Sequence, residues 1–127
     1  LVERLDDLGR RMVLAIARPE VIALRRLLIG EARDFPALAA NYYDRAPGQV
    51  IEALASGFAH LGRRGLLRVK DSRRAAAQFA YLVAGEPLDR ALLAGRVPPK
   101  AQLTSCAEEG VRTFLARYVV MNKGKSK

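Results

Sequence analysis

The sequence predicts an all-α fold, a bundle of about six helices, and three observations support this prediction. Apolar residues recur at spacings of three and four in successive segments, which is the pattern of a helix with one buried face. Prolines and glycines separate these segments. The sequence shows no alternating strand pattern, heptad run or internal repeat. With 127 residues, the chain is expected to form one domain with its own core.

The first two helices are predicted from their apolar stripes and their prolines. The buried face of the first helix consists of Leu1, Leu5, Leu8, Met12 and Ile16. Pro19 suits the first turn of the second helix, because its missing N–H is not needed there, and Pro36 ends that helix by disfavouring helical geometry at Phe35. Apolar side chains cover more than half of the circumference of the second helix. We therefore expect it to be mostly buried, with the other helices packed around it.

Two charged residues, Arg25 and Glu31, interrupt the apolar surface of this second helix. A carboxylate that is buried alone is very costly, so Glu31 should be paired, hydrogen-bonded or protonated. A bridge to an arginine of a neighbouring helix is favoured over a role in ligand binding. The same two alternatives remain open for Arg25.

The third and fourth helices also begin at prolines. A short helix starts at Pro36 and runs to about Asp44, and a turn at residues 46–48 follows it. The fourth helix, from Pro47 to Arg64, has a single apolar stripe made of Val50, Ile51, Leu54, Phe58 and Leu61. Gly65 follows two arginines, which is typical of a helix that ends in a left-handed glycine.

The last two long helices are predicted to have broad apolar surfaces. Asp71 is a good N-cap for the fifth helix, which is apolar on nearly all sides and which Gly85 and Pro87 should interrupt. The sixth helix runs from about Lys100 to Val120. Gly110 lies in its apolar stripe, and a close approach of another backbone explains a glycine there.

The composition excludes several classes of protein. No apolar run approaches the roughly 18 residues needed to cross a bilayer, and nothing resembles a signal peptide, so we expect no membrane association. The single cysteine, Cys106, cannot form an internal disulfide, which fits a cytoplasmic protein. The chain begins at Leu1 within a helical pattern, so we expect it to be part of a longer protein, with a basic, frayed tail at residues 122–127.

Catalysis is not expected, because the chain lacks the usual constellations of reactive residues. Its one histidine, His60, lies opposite the apolar stripe of the fourth helix and has no second histidine or cysteine as a partner. No phosphate loop, zinc spacing or nucleophile elbow occurs. We therefore predict no catalytic residue, metal site or cofactor. The net charge of +9 is spread over dispersed arginine pairs, which favours solvated helix faces over a nucleic-acid surface.

Two segments of the sequence carry a family resemblance. The first, LRRLLIGEARDFPALAANYY, contains a Glu-Ala pair followed by Phe35 and Pro36; the second, RRGLLRVKDSRRAAAQFAYLVAG, contains Gly-Leu-Leu, the Asp71 cap and an Ala-Ala-x-x-Phe helix that ends at Phe79. Together they resemble the carboxy-terminal regulatory domain of the TetR family of bacterial transcriptional repressors. The resemblance covers roughly Leu1 to Val120. It implies an all-helical domain that binds a small effector and forms a homodimer through its last two long helices.

The resemblance also implies where the sites lie. A small apolar or amphiphilic effector would contact Met12, Leu24, Arg25, Leu28, Glu31, Tyr42, Tyr43, Leu54, Phe58, Phe79 and Val83. The dimer interface would consist of Ala76, Ala77, Ala80, Ala84, Leu103, Ala107, Gly110, Val111, Phe114, Leu115 and Tyr118. The helix-turn-helix domain that binds DNA in this family is absent from these residues, so DNA would be bound only through that domain.

Two other classes remain as alternatives. A helical protein–protein interaction module would have a filled core in place of the enclosed apolar pocket of a few hundred cubic ångströms that an effector site requires. A basic nucleic-acid-binding domain would bind DNA by itself with a steep dependence on salt, and we expect no such binding.

Overall fold

The computed structural model describes residues 1–121, and it confirms the all-α prediction in that range. It contains six helices: α1 (Val2–Ile16), α2 (Pro19–Glu31), α3 (Pro36–Arg45), α4 (Pro47–Arg63), α5 (Ser72–Ala94) and α6 (Lys100–Tyr118). None of these six helices is long and apolar enough to cross a membrane. The basic tail predicted at 122–127 lies outside the described residues.

Helix α5 lies at the centre of the bundle and packs against α1, α4 and α6. The ring of Phe79 on α5 is 5.4 Å from that of Phe58 on α4 and 5.1 Å from that of Phe114 on α6, measured between centroids. The Phe58 and Phe114 rings are 4.9 Å apart. All three side chains are buried, and their edge-on and tilted contacts join three helices into one core.

The second helix does not occupy the centre, contrary to the prediction from its composition. Within α2, only Ile22 and Leu28 are buried, whereas Leu27 and Ile29 are 60% and 61% exposed. Helix α2 lies on one side of the bundle, where it contacts α1, α3 and α5. The prediction is wrong because the alanine-rich α5 allows neighbouring helices to approach it from several sides and takes the central position. The described part of the chain therefore leaves one face of α2 uncovered.

Helix α5 begins as predicted but continues further. The backbone N–H of Arg74 donates to Oδ1 of Asp71 at 3.0 Å, which confirms the N-cap. The interruption predicted at Gly85 and Pro87 is not observed, because one helix continues through both residues. Proline removes one backbone donor, but Pro87 is buried, and its packing offsets that loss.

Two glycines have the roles that the sequence predicts. Gly65 follows α4 with a φ of 79°, and the N–H of Leu66 donates to the carbonyl oxygen of Leu61 at 3.0 Å, which closes the helix end. A Cβ atom on Gly110 would lie 2.5 Å from the carbonyl oxygen of Leu82. The backbones of α5 and α6 therefore approach closely at Gly110.

Two ion pairs join α1 to α6. Arg112 donates two hydrogen bonds to the carboxylate of Asp6, at 2.7 and 3.0 Å, and Arg10 donates to Glu108 at 2.9 Å. Asp6 is a buried charged residue, and its hydrogen bonds raise the pKa of the Arg112 guanidinium. Because the Asp6 pair is bidentate, it fixes the position of α1 along α6.

Candidate ligand-binding cavity

A cavity of about 260 Å³ lies between α1 and α4, both of which pack on α5. Helices α2 and α3, here called the cover (residues 19–45), close its outer side. The cavity is lined by Met12, Ala15, Ile16, Val21, Arg25, Tyr42, Ala46, Pro47, Val50, Ile51, Ala80, Tyr81, Ala84, Gly85 and Leu88. Val50 and Tyr81 are 45% and 66% exposed, so the cavity opens to solvent beside them. It has the expected order of size but is less enclosed than expected.

The sequence of α5 explains why space remains at the floor of the cavity. Ala80, Ala84 and Gly85 lie on the side of α5 that faces the cavity, and they fill little volume above the backbone. Larger apolar side chains, Met12 and Ile51 among them, stand on α1 and α4 as the walls. The result is an apolar space bordered by rigid helices, which is the usual form of a small-molecule site.

Within residues 1–121, Arg25 is the one charged residue in the lining. Its Nε atom is buried and has no hydrogen-bond partner among the described residues. The guanidinium carbon lies 5.8 Å from the centre of the Tyr42 ring, a distance at which the ring face attracts a cation. No ion pair within residues 1–121 involves Arg25. The lining of the cavity therefore includes a charged side chain that pairs with no carboxylate of the described residues.

The predicted ligand-binding residues on the first three helices divide between the cavity and other positions. Those that line the cavity are Met12, Arg25 and Tyr42. Leu28 is buried without lining it, while Leu24 and Tyr43 are 45% and 44% exposed. Glu31 is partly exposed near the end of α2 and forms no ion pair with the described residues, so the favoured bridge to a neighbouring arginine is not found.

The remaining predicted ligand-binding residues lie in the core. Phe79 and Val83 are fully buried, and they do not line this cavity. Leu54 and Phe58 are buried as well, but they border a second groove of about 760 Å³ between α1 and α4. Val50 lines both spaces, so the cavity and this second groove adjoin each other.

Several lining residues were not predicted as ligand contacts. Ala80 and Ala84 were assigned to the subunit interface because of their small size, yet they form the cavity floor. Ala46 and Pro47 lie at the turn into α4, and the turn itself was visible in the sequence. Nothing in the sequence indicated that this turn and α1 border the same space.

The residues predicted for the dimer interface are already covered within one subunit. Those buried in the core of the single chain are Ala76, Ala84, Leu103, Ala107, Gly110, Val111, Phe114, Leu115 and Tyr118. Ala77 and Ala80 are partly buried against that core. The stripe of α6 faces α5 and α1 of the same chain, which corrects the expectation that these side chains need a partner subunit to cover them.

The opposite face of α5 and α6, here called the outer face, is not covered by any other part of residues 1–121. Its accessible residues include Tyr81, Leu82, Cys106, Glu109 and Thr113, which border two shallow grooves between the helices. Partial burial raises the pKa of the Cys106 thiol, and the nearby carboxylates of Glu86 and Glu109 raise it further.

Comparisons with known proteins agree with this architecture. The family model described as "AefR-like transcriptional repressor, C-terminal domain", which is a TetR family model, matches residues 3–120. A crystal structure from Mesorhizobium loti MAFF303099, of a protein assigned to the TetR family of transcriptional regulators, superposes with a TM-score of 0.91 at 30% sequence identity. The match covers 94% of this chain and 60% of that protein. A comparison with curated protein sequences found no match.

The family model covers nearly all of the described residues, and the structural match covers 94% of the chain. The predicted resemblance is therefore confirmed at the level of the family. The chain belongs to the TetR family of transcriptional regulators and corresponds to its C-terminal domain.

Proposed function

We propose that residues 1–121 are the effector-binding and dimerisation domain of a bacterial transcriptional repressor that acts in the cytoplasm. The observation that carries the proposal is the apolar cavity beneath the cover, with one charged group in its lining. A filled core would favour a protein–protein interaction module, whereas this cavity favours a small apolar or amphiphilic effector. The chain spans 60% of the Mesorhizobium loti protein, so DNA binding is assigned here to a part of the regulator outside these residues.

The effector would act by changing the arrangement of the cover. Arg25 and Tyr42 belong to the cover, whereas Met12, Ile51 and Ala84 belong to the helices packed on α5 or to α5 itself. A ligand that contacts both sets favours one position of the cover over others. Such a preference shifts the population of conformations, and any DNA-binding region coupled to them then changes its affinity.

The outer face of α5 and α6 is the proposed dimer interface. Leu82 and Leu93 are 37% and 84% exposed and lie eleven residues apart, which places them on the same side of α5. Two helices from each subunit would form a four-helix contact about a twofold axis. Sedimentation at micromolar protein concentration measures this directly, and a single-chain species would contradict it.

A neutral fluorescent probe, N-phenyl-1-naphthylamine, tests whether the cavity binds apolar molecules. We expect its fluorescence to rise on binding to the wild-type chain and to be lost in Ala80→Phe, because the added ring occupies the cavity floor. Ala23→Phe is the matched control, since Ala23 is exposed on α2 and lines no cavity. Equal binding by both variants, or none by the wild type, would contradict the proposal.

A further inference from the structure

We propose that the effector is an anionic amphiphile whose oxyanion head group binds Arg25 and whose hydrocarbon part fills the cavity. The proposal rests on the effector-binding function assigned above and narrows it to one chemical class. It depends on three observations about the lining: the sign of its charge, the unused donor on Arg25 and the apolar character of the walls.

The first observation is that the charge of the lining is positive only. Among the described residues that border the cavity, Arg25 is the sole charged one, and neither aspartate nor glutamate is present. A cationic ligand would meet an uncompensated positive charge in an apolar space, which is unfavourable. An anion would provide the missing counter-charge.

The second observation is the state of the Arg25 side chain. A buried polar atom without a partner costs free energy, so native proteins rarely leave one unpaired. The Nε atom of Arg25 is such an atom, and the Arg25 side chain borders the cavity beside the ring of Tyr42. An oxyanion placed in the cavity would accept a charge-assisted hydrogen bond from the guanidinium group.

The third observation concerns the remainder of the ligand. Beyond Arg25, the polar side chains of the lining are those of Tyr42 and Tyr81, while aliphatic residues form both walls. A hydrocarbon chain gains free energy by leaving water for such walls. Val50 borders both the cavity and the second groove, so an aliphatic side chain stands at the boundary between them.

Three probes of equal chain length separate the head groups: octanoate, 1-octanol and octylammonium. Their affinities for the whole chain are measured by isothermal titration calorimetry below their aggregation concentrations. We expect octanoate to bind about tenfold or more tightly than 1-octanol, because a hydrogen bond to a charged group adds affinity to the same apolar contact. Octylammonium should bind most weakly.

Variants at Arg25 then assign the preference to its guanidinium group. Arg25→Met should remove the difference in affinity between octanoate and 1-octanol. Arg25→Lys, which keeps the charge, should retain part of the preference. Arg33→Met is the control, because Arg33 is an exposed arginine just beyond α2 that lines no cavity. Circular dichroism confirms that each variant is folded.

The outcomes distinguish this inference from the proposed function. If 1-octanol and octanoate bind equally well, the cavity binds apolar ligands and only the anionic preference fails. A stronger affinity for octylammonium, or an unchanged preference in Arg25→Met, also overturns the inference. If none of the probes binds, the inference and the proposed effector site fail together.

Discussion

The two sides of the cavity differ in how completely they are packed. On one side, α1, α4, α5 and α6 share an aromatic core in which Phe79 and Phe114 are fully buried. On the other side, the cover contributes two buried residues, Ile22 and Leu28, and the Phe35 side chain between its helices is 56% exposed. The same type of residue is therefore a core residue in one region and a surface residue in the other.

This difference indicates which part of the domain can respond to a ligand. Most apolar side chains of the cover are already in contact with solvent, so moving the cover away from the bundle exposes little additional apolar surface. This motion should therefore cost less free energy than unfolding the aromatic core. Arg25 and Tyr42 place the polar contacts of the cavity on this less tightly packed part. A ligand that binds Arg25 and the cavity walls would fix the position of the cover relative to the aromatic core. The core itself would keep its structure.

The largest expected contrast is between two phenylalanine truncations. Phe79→Ala should lower the free energy of unfolding by about 3–5 kcal/mol, because it removes a fully buried ring and leaves a cavity between three helices. Phe35→Ala should lower it by less than about 1 kcal/mol, since more than half of that side chain is in water already. Urea unfolding followed by circular dichroism measures both values. Similar losses in the two variants would show that the cover is as tightly packed as the core.

Two glycine substitutions should change the free energy of unfolding in opposite directions. Gly110→Ala should destabilise the fold by about 1–3 kcal/mol, because the new methyl group would collide with the backbone of Leu82 and neither helix can yield cheaply. Gly30→Ala in the cover should stabilise it by about 0.5–1 kcal/mol, since a Cβ there meets open space and alanine favours the helix. The same unfolding experiment tests both, and a stabilising Gly110→Ala would contradict the close approach of α5 and α6.

The helices and their ends could be predicted because their signals are local. Asp71 as an N-cap and Gly65 as a left-handed residue depend on the chain within a few residues of each, and both predictions are confirmed. Pro87 misled the prediction for the opposite reason: whether a proline is tolerated inside a helix depends on what packs around it. Tertiary contacts of this kind cannot be predicted from the neighbouring residues in the sequence.

The partners of the apolar faces could not be predicted. Helices α2 and α5 both show apolar residues on most of their circumference, and the sequence does not state which of them lies at the centre. For the same reason, the stripe that contains Phe114 was assigned to a second subunit although it faces α5 and α1. Of the residues predicted to bind a ligand, Met12, Arg25 and Tyr42 line the cavity. Arg25 could be singled out from the sequence because a charge on an apolar helix surface needs a partner wherever that surface lies.

The smallest expected effect concerns the chemistry of Cys106 on the outer face of α6. Its thiol should react with disulfide reagents more slowly at neutral pH than an exposed thiol, because its pKa is raised by partial burial and by the carboxylates of Glu86 and Glu109. The reaction rate should reach half of its maximum at a pH above the ordinary thiol value of about 8.5. The raised pKa also means that stability falls as the pH rises beyond that value, since the unfolded chain then releases the proton more readily.

A thiol on the cover provides the comparison. Ala37 is exposed on α3, so Ala37→Cys combined with Cys106→Ser should show an ordinary pH–rate profile. The two thiols should also differ in their dependence on protein concentration. If α5 and α6 form the dimer interface, the reaction of Cys106 slows further as subunits associate, whereas the thiol of Ala37→Cys stays equally reactive. If the thiol of Cys106 reacted as fast as the thiol of Ala37→Cys at every pH and protein concentration, this would contradict two statements. One is the partial burial of Cys106, and the other is the assignment of the outer face to a subunit contact.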